Sequence, residues 1–110
     1  MESQHEDCGY CPHFHRAIEL IGRRWTGAIL QVMLAGQTRF GDIRDSVPGL
    51  SDRLLSERLK ELEEAGVVSR CTATRDVHYH LTDVGREIEP VLDSVGKWAQ
   101  GLSAVTPLSS

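Results

Sequence analysis

The hydrophobic periodicity of the chain changes at Gly66, and this change constrains the fold more than any other feature. Before it, three leucines recur at the i, i+4, i+7 spacing of an amphipathic helix: Leu55, Leu59 and Leu62. After it, residues 67–73 and 77–81 follow a period of two and are rich in β-branched and aromatic residues, which predicts two strands. A two-stranded hairpin is not stable alone in water, so it must pack against the helices.

Three further helices are predicted before the leucine helix. Pro12 suits the first turn of a helix that Gly22 ends. A second helix, from about Trp25 to a C-cap at Gly36, is apolar over much of its circumference and should be the buried central helix. A short third helix near residues 40–46 ends where Pro48 disfavours the helical conformation of the preceding residue.

Single residues also mark both ends of the leucine helix and the start of the last helix. Ser51 is a good N-cap for the leucine helix, and Ala65-Gly66 closes it. Thr82 is expected to cap a final helix that reaches about Gln100. Pro90 lies inside that helix, so a kink or a brief break is predicted near residues 87–89.

Together these elements predict an α+β, mainly α fold. Two helices joined by a tight turn, the second with a polar outer face, and then a β-hairpin follow the order of a winged helix-turn-helix with a two-stranded wing and a C-terminal dimerisation helix. We expect one domain over residues 11–102, a flexible N-terminal arm over 1–10 and a flexible tail over 103–110. The same pattern also fits a generic small domain whose leucine stripe is only core.

The net charge of −4 by itself argues against a nucleic-acid partner. The charges are unevenly placed, however, because residues 16–60 carry eight Lys and Arg against five Asp and Glu. Residues 1–15 and 61–110 are both net acidic. A basic face confined to the first half of the chain could therefore meet phosphate despite the acidic total.

Composition and motifs exclude several other classes of protein. The acidic, polar N-terminus does not resemble a secretory signal, and no apolar run is long enough to span a membrane. Three cysteines without an export signal favour a reducing compartment, so we expect a cytoplasmic protein with no membrane partner. No nucleophile-elbow, phosphate-loop or dinucleotide motif occurs, which predicts that the chain is not an enzyme and needs no cofactor.

Six motifs follow one another in one order: Cys11-Pro12, IG-x-(R/K)-W-T at Ile21 to Thr26, Arg39-Phe40, Pro48-Gly49, L-x-x-R-L-x-x-L-E-x-x-G at Leu55 to Gly66, and Y-x-L-T-x-x-G at Tyr79 to Gly85. Over roughly residues 11–100 the chain thereby resembles the HxlR family of bacterial transcriptional regulators. The resemblance implies a winged-helix fold, dimers built through the first and last helices, and double-stranded palindromic operator DNA as partner. In some members a cysteine near the N-terminus acts as a sensor.

The candidate DNA contacts surround the leucine helix. Its N-terminal residues and exposed face would lie near base edges and phosphates, and arginines that precede helices or lie in the wing would hold the backbone. The predicted set is Arg24, Arg39, Ser51, Asp52, Arg53, Ser56, Glu57, Arg58, Lys60 and Arg75. For each of them a solvated surface is the alternative, and Arg58 fits a packing role as well as a phosphate contact.

The wing departs from the family pattern. Its loop is only Thr74-Arg75-Asp76, where relatives carry a longer loop with prolines, and Val77-His78-Tyr79 replaces a V-E-Y sequence. Arg75 is then the one obvious phosphate ligand in the loop. The shortening puts a minor-groove contact in doubt, and His78 and His80 are expected to face solvent.

A seam along the last helix predicts a homodimer. Six apolar residues step by four and three, which is heptad spacing: Val84, Ile88, Val91, Val95, Trp98 and Leu102. A protein this small has little need for such a seam against itself, and a two-fold operator requires a two-fold protein. From the first helix, Phe14, Ile18 and Ile21 should join the contact.

The N-terminal cluster from Cys8 to His15 contains the one set of residues with chemical reactivity. The C-x-x-C spacing of Cys8 and Cys11 is typical of redox or metal sites. His13 and His15 would project in different directions from a helix start, so we predict no metal site. Cys11 and Cys8 are the candidate redox-sensing residues, with an oxidant or small electrophile as signal. Cys8 could act as the resolving thiol, and an intersubunit bond from Cys11 to Cys71 or to a second Cys11 is equally open. A chemically inert terminus remains the alternative.

One rival function belongs to another class. The chain could be a thiol redox or metal-binding protein whose winged fold mediates only protein contacts. Promoter DNA binding with a steep salt dependence separates the two hypotheses.

Overall fold

The computed structural model describes residues 9–73 and 75–102, which form six helices and two strands. In chain order these are α1 (Pro12–Ile21), α2 (Thr26–Leu34), α3 (Phe40–Ser46), α4 (Asp52–Glu64), β1 (Val68–Cys71), β2 (His78–Leu81), α5 (Asp83–Arg86) and α6 (Glu89–Ala99). Most of the predicted arm (1–10) and the predicted tail (103–110) lie outside the described residues, as do Cys8 and Thr74.

The core is formed by buried side chains of α2, α3, α4 and the two strands, together with the turn between α3 and α4. Helix α2 buries Thr26, Ile29, Leu30 and Met33, which confirms its prediction as the central helix. The three leucines of α4 are buried as well, with at most 1% of their surface exposed. Each buried leucine contributes roughly 1.5–3 kcal/mol relative to exposure, so the stripe fixes which face of α4 remains outside.

Side-chain caps define the starts of two helices at the predicted residues. The Ser51 hydroxyl accepts a hydrogen bond from the Leu54 amide at 3.1 Å at the start of α4. The Thr82 hydroxyl accepts from the Gly85 amide at 3.0 Å and donates to the Gly66 carbonyl at 2.6 Å. Thr82 therefore caps α5 and ties it to the end of α4.

Two helix boundaries differ from the sequence-based prediction. Helix α2 begins at Thr26 because Trp25 adopts a left-handed conformation with φ of +79° and serves as the N-cap. The helix ends at Leu34, with Ala35 rather than Gly36 as the C-cap residue. The predicted break near residues 87–89 is confirmed, since α5 ends at Arg86 and α6 starts at Glu89 with Pro90 in its first turn.

The hairpin is shorter than predicted, and the loop before α3 lies against its second strand. Strands β1 and β2 pair antiparallel with Val68 opposite Leu81 and Cys71 opposite His78. The Tyr79 amide donates to the Thr38 carbonyl at 2.8 Å, and the Thr38 hydroxyl lies 2.9 Å from His78 Nδ1. The expectation that His78 faces solvent is therefore wrong, because the loop before α3 half-buries it, whereas His80 is exposed.

Within the described ranges, no helix is both long and apolar enough to cross a membrane.

Candidate nucleic-acid interface

A tight turn joins helices α3 and α4, and both its backbone conformation and a contact with another segment of the protein constrain it. Val47 leaves the helix in an extended conformation, and Gly49 follows with φ of +88°, which a residue with a Cβ rarely adopts. A Cβ at Gly49 would lie only 3.2 Å from Cη2 of Trp25. The turn that precedes α4 therefore lies against the Trp25 ring.

The outer face of α4 is polar and accessible. Asp52, Arg53, Ser56, Glu57 and Lys60 are all exposed, and so is the N-cap Ser51. The Arg53 side chain is 88% exposed, and its Nε lies 3.3 Å from Glu57 Oε2. Six of the ten predicted DNA contacts thus share one continuous surface at the start and along the outside of α4.

Arg58 is placed differently from the other predicted contacts on α4. Its side chain is only 8% exposed, because position 58 lies on the buried stripe between Leu55 and Leu62. Its Nε donates to the Arg24 carbonyl at 2.9 Å, and Nη1 donates to Glu61 at 3.0 Å. Of the two roles that the sequence left open for Arg58, the structure favours packing over a phosphate contact.

The remaining predicted cations lie outside α4. Arg24 is exposed, with its guanidinium 5.2 Å from the Trp25 ring centroid. Arg39 immediately precedes α3, and its Nη2 lies 3.4 Å from Asp76 Oδ2 in the wing loop. Arg75 is exposed in the same loop. The pair of Arg39 and Asp76 joins the wing loop to the start of α3.

Sequence reasoning missed Arg44, in the last turn of α3. Its Nη1 donates to Asp52 at 2.8 Å and its Nε donates to Asp45 at 3.0 Å. These hydrogen bonds, with Asp52 contributing most, raise the pKa of Arg44 above its ordinary value. Arg44 and Asp52 are eight positions apart. The signal for Arg44 in the sequence is a cation at the end of the helix before a tight turn. This feature is too common to identify Arg44 as a functional residue.

The predicted dimer residues form a second surface. Among the described residues, eight large hydrophobic side chains are exposed, and seven of them are predicted dimer residues: Phe14, Ile18, Val84, Val91, Val95, Trp98 and Leu102. Phe14 is 66% exposed and Trp98 is 67% exposed. Ile21 and Ile88 instead pack partly against the core. Exposed apolar surface of this kind, confined to terminal helices, indicates an interaction face.

The two described cysteines, Cys11 and Cys71, lie outside α4. Cys11 is half-buried at the N-cap position of α1, and Cys71 is half-buried in β1; both are free thiols. Cys8, the other predicted redox residue, is outside the described residues. Within residues 9–73 and 75–102, no three His, Cys, Asp or Glu side chains come together in a way that could hold a metal ion.

Comparison with known proteins identifies relatives over most of the chain. A model of the HxlR-like helix-turn-helix family matches residues 20–105. An uncharacterised HTH-type transcriptional regulator of Bacillus subtilis, YvaP, is 42% identical over 92 residues, which cover 81% of this chain and 85% of YvaP. The family resemblance that the six motifs indicated is thereby confirmed.

Solved structures of two regulators are similar to this chain in backbone and sequence. The reduced form of the transcriptional regulator YodB from Bacillus subtilis has a TM-score of 0.79 and 34% identity, covering 89% of this chain and 99% of YodB. The quinone-bound form of YodB has a TM-score of 0.74 and 35% identity, over 84% of this chain and 100% of YodB. The redox regulator HypR in its oxidised form has a TM-score of 0.73 and 32% identity, over 86% of this chain and 100% of HypR. The predicted winged helix-turn-helix architecture is confirmed by these neighbours.

Proposed function

The chain belongs to the HxlR-like helix-turn-helix family, and we propose that it regulates transcription as a homodimer on an inverted-repeat operator. Its relatives are transcriptional regulators and not enzymes, which agrees with the prediction of a non-enzymatic protein. The observation that carries the proposal is the position of α4. Its leucine face is buried, its start is fixed by Ser51 and by the turn on Trp25, and its polar face is open.

In this proposal α4 enters the major groove of DNA. Ser51, Asp52, Arg53 and Ser56 lie at its N-terminal half, where base edges are within reach of a recognition helix. Arg53 supplies the planar fork that suits guanine, and Glu57 holds that fork in the free protein. Lys60 is a point charge for phosphate. Arg24, Arg39 and Arg75 would hold the backbone on either side of the groove, while Arg58 positions α4 from inside.

The dimer would form through the exposed apolar surface of α1, α5 and α6. A second copy of this chain is the natural occupant, because the two halves of an inverted repeat require two recognition helices related by a two-fold axis. Val91, Val95 and Trp98, together with Pro90 and Ser94, line a shallow and largely apolar depression on α6 that a partner helix can fill. The domain limits of 11–102 belong to the same proposal.

We propose that the signal is an oxidant or a small electrophile and that it acts through Cys11. In support, the similar regulator YodB has been solved with quinone bound, and the redox regulator HypR has been solved in an oxidised form. Cys11 precedes Pro12 at the start of α1, the helix that also presents Phe14 and Ile18 to the proposed partner. Modification of this thiol would change the dimer contact and thereby the relative tilt of the two recognition helices. Cys8, three residues earlier, would be a resolving thiol.

Selection of bound sequences from random duplex DNA, with and without reductant, tests the proposal. We expect enrichment of one inverted repeat under reducing conditions and a different affinity for it after oxidation. Enrichment of no sequence, together with the absence of any DNA retardation at low salt, would leave the rival function as a thiol protein that contacts only other proteins. Enrichment that does not depend on reductant would support the DNA-binding role and refute the sensing role.

A further inference from the structure

Arg44 connects the two helices of the helix-turn-helix at the point where they approach each other. It lies in the last turn of α3, and its guanidinium reaches Asp52 in the first turn of α4 at 2.8 Å. A second carboxylate, Asp45, lies 3.0 Å from its Nε. In this arrangement one cation is shared between two carboxylates next to the N-terminus of the recognition helix.

The location places Arg44 beside the expected DNA. In a helix-turn-helix the first helix crosses the sugar-phosphate backbone and the N-terminal residues of the second helix approach base edges. Arg44 belongs to the first helix and is bound to Asp52 of the second. Its side chain is 37% exposed, so part of the guanidinium is accessible while the carboxylates hold the rest.

Carboxylate and phosphate compete for the same guanidinium fork. Both anions accept the paired N–H groups of arginine, so a phosphate oxygen can replace a carboxylate without moving the side chain far. Two carboxylates around one cation leave a local excess of negative charge, which opposes the approach of DNA. Arg53 with Glu57 and Arg39 with Asp76 repeat the pairing of an arginine with a carboxylate.

From these contacts we infer that Arg44 is a DNA-phosphate contact that Asp45 and Asp52 hold in the free protein, and that DNA binding exchanges carboxylate for phosphate. Breaking the ion pairs of Arg44 costs free energy, and a well-fitted DNA site offsets this cost. The two carboxylates therefore lower the affinity for non-specific DNA more than the affinity for the operator. Asp52 then contributes to specificity, because it keeps Arg44 bound when the DNA does not carry the operator sequence. The inference rests on the proposed DNA-binding function.

A different role for Arg44 would give a different result in a double-mutant cycle. If Arg44 only screened the charge of Asp52, removing both charges would restore wild-type affinity. If Arg44 binds phosphate itself, Arg44→Gln weakens binding whether or not Asp52 is present. The cycle compares Arg44→Gln, Asp52→Asn and the double variant on the selected operator and on a scrambled duplex of the same length, at several salt concentrations.

Three results are expected from this cycle. Asp52→Asn should tighten binding to the scrambled duplex by roughly two- to fivefold, in line with the modest worth of an exposed ion pair, and should tighten operator binding less. Arg44→Gln should weaken both duplexes and lower the salt slope by about one. The double variant should recover the part of the affinity that the uncompensated Asp52 charge removes, but it should stay weaker than wild type and keep the lower slope.

Two matched variants separate this inference from general charge effects. Glu64→Gln makes the same charge change at the exposed C-terminal end of α4 and should leave the ratio of operator to scrambled affinity unchanged. Arg44→Lys keeps the positive charge, so its salt slope should equal that of wild type, whereas the slope of Arg44→Gln is lower. Recovery of wild-type affinity and slope in the double variant, or equal effects of Glu64→Gln and Asp52→Asn, would overturn the inference.

The same titrations distinguish failure of the inference from failure of the proposed function. Wild-type protein that binds neither duplex at low salt would refute the DNA-binding function and the inference with it. Wild-type protein that binds the operator with a steep salt slope, together with an unchanged slope in Arg44→Gln, would refute the inference alone.

Discussion

Arg58 Nε donates a hydrogen bond to the backbone carbonyl of Arg24 at 2.9 Å, across 34 positions of sequence. This bond joins the middle of α4 to the turn between α1 and α2. Glu61 extends the connection, because it accepts from Arg58 at 3.0 Å and lies 3.2 Å from Nη2 of Arg23. The position of the recognition helix is therefore tied to the helix that carries Cys11 and part of the proposed dimer surface.

Arg58→Met should destabilise the fold. The substitution keeps much of the aliphatic packing but leaves the Arg24 carbonyl without its donor and removes one of the two arginines beside Glu61, at a cost of roughly 1–3 kcal/mol. Urea denaturation of the variant and of wild type measures the difference. Lys60→Met, on the exposed face of the same helix, is the control and should change stability little. If Arg58→Met is as stable as wild type and binds DNA with a reduced salt slope, Arg58 is a phosphate contact and not a packing residue.

Gly85→Ala should be strongly destabilising, although the position lies in a helix. A Cβ there would overlap the carbonyl oxygen of Val67, and that oxygen belongs to the backbone, so α5 would have to move away from the hairpin. The expected loss is roughly 1–3 kcal/mol. Gly27→Ala in α2 meets no atom within 4 Å and should instead stabilise the protein by about 0.5–1 kcal/mol. Thermal unfolding of both variants checks the contrast, and a Gly85→Ala variant as stable as wild type would refute the close packing of α5.

Trp98→Ala should shift the protein towards monomer. Trp98 is 67% exposed in the chain and borders the apolar depression on α6, so its burial would occur only in a dimer. Sedimentation at micromolar concentration measures the change, and operator affinity should fall with it. Asp93→Ala changes an exposed residue of the same helix that lies outside the seam and should leave the dimer intact. A wild-type protein that sediments as a monomer would contradict the proposed assembly.

Cys11→Ser should make operator binding insensitive to oxidants. Cys11 is half-buried at the start of α1 and forms no disulfide bond. Operator affinity of wild type and variant is measured before and after a mild dose of diamide or quinone, and only the wild type should respond. Cys71→Ser, which changes the other free thiol of the described residues, should respond as wild type does. A wild type whose affinity is the same before and after treatment would remove the sensing role and leave the DNA-binding proposal standing.

The sequence was sufficient to predict the elements that local signals mark. Ser51, Thr82 and Pro90 define helix starts and the break before α6, because each acts on its immediate neighbours through a cap or through its own ring. The leucine stripe and the apolar second helix predict the core for the same reason. The order of helices and hairpin then left few arrangements other than a winged helix.

Contacts between distant segments were not predictable in the same way. The left-handed conformation of Trp25 is stabilised by its packing on Gly49, and the inward position of Arg58 depends on a carbonyl of another turn. The pairing of Arg44 with Asp52 likewise depends on the angle between α3 and α4. His78 is half-buried because Thr38 lies beside β2. In each case the partner is chosen by the tertiary fold, which periodicity and propensity do not encode.

The measurement that tests the central claim most directly is the affinity of wild type, Arg53→Ala and Lys60→Ala for the selected operator and for its single-base variants. Arg53→Ala should lose roughly 1–3 kcal/mol on the operator and lose discrimination at one base pair, because its guanidinium is exposed and we propose that it makes a bidentate base contact. Lys60→Ala should weaken all duplexes alike, as expected for a phosphate contact. Equal affinity of both variants and wild type for every duplex would contradict the assignment of α4 as the recognition helix.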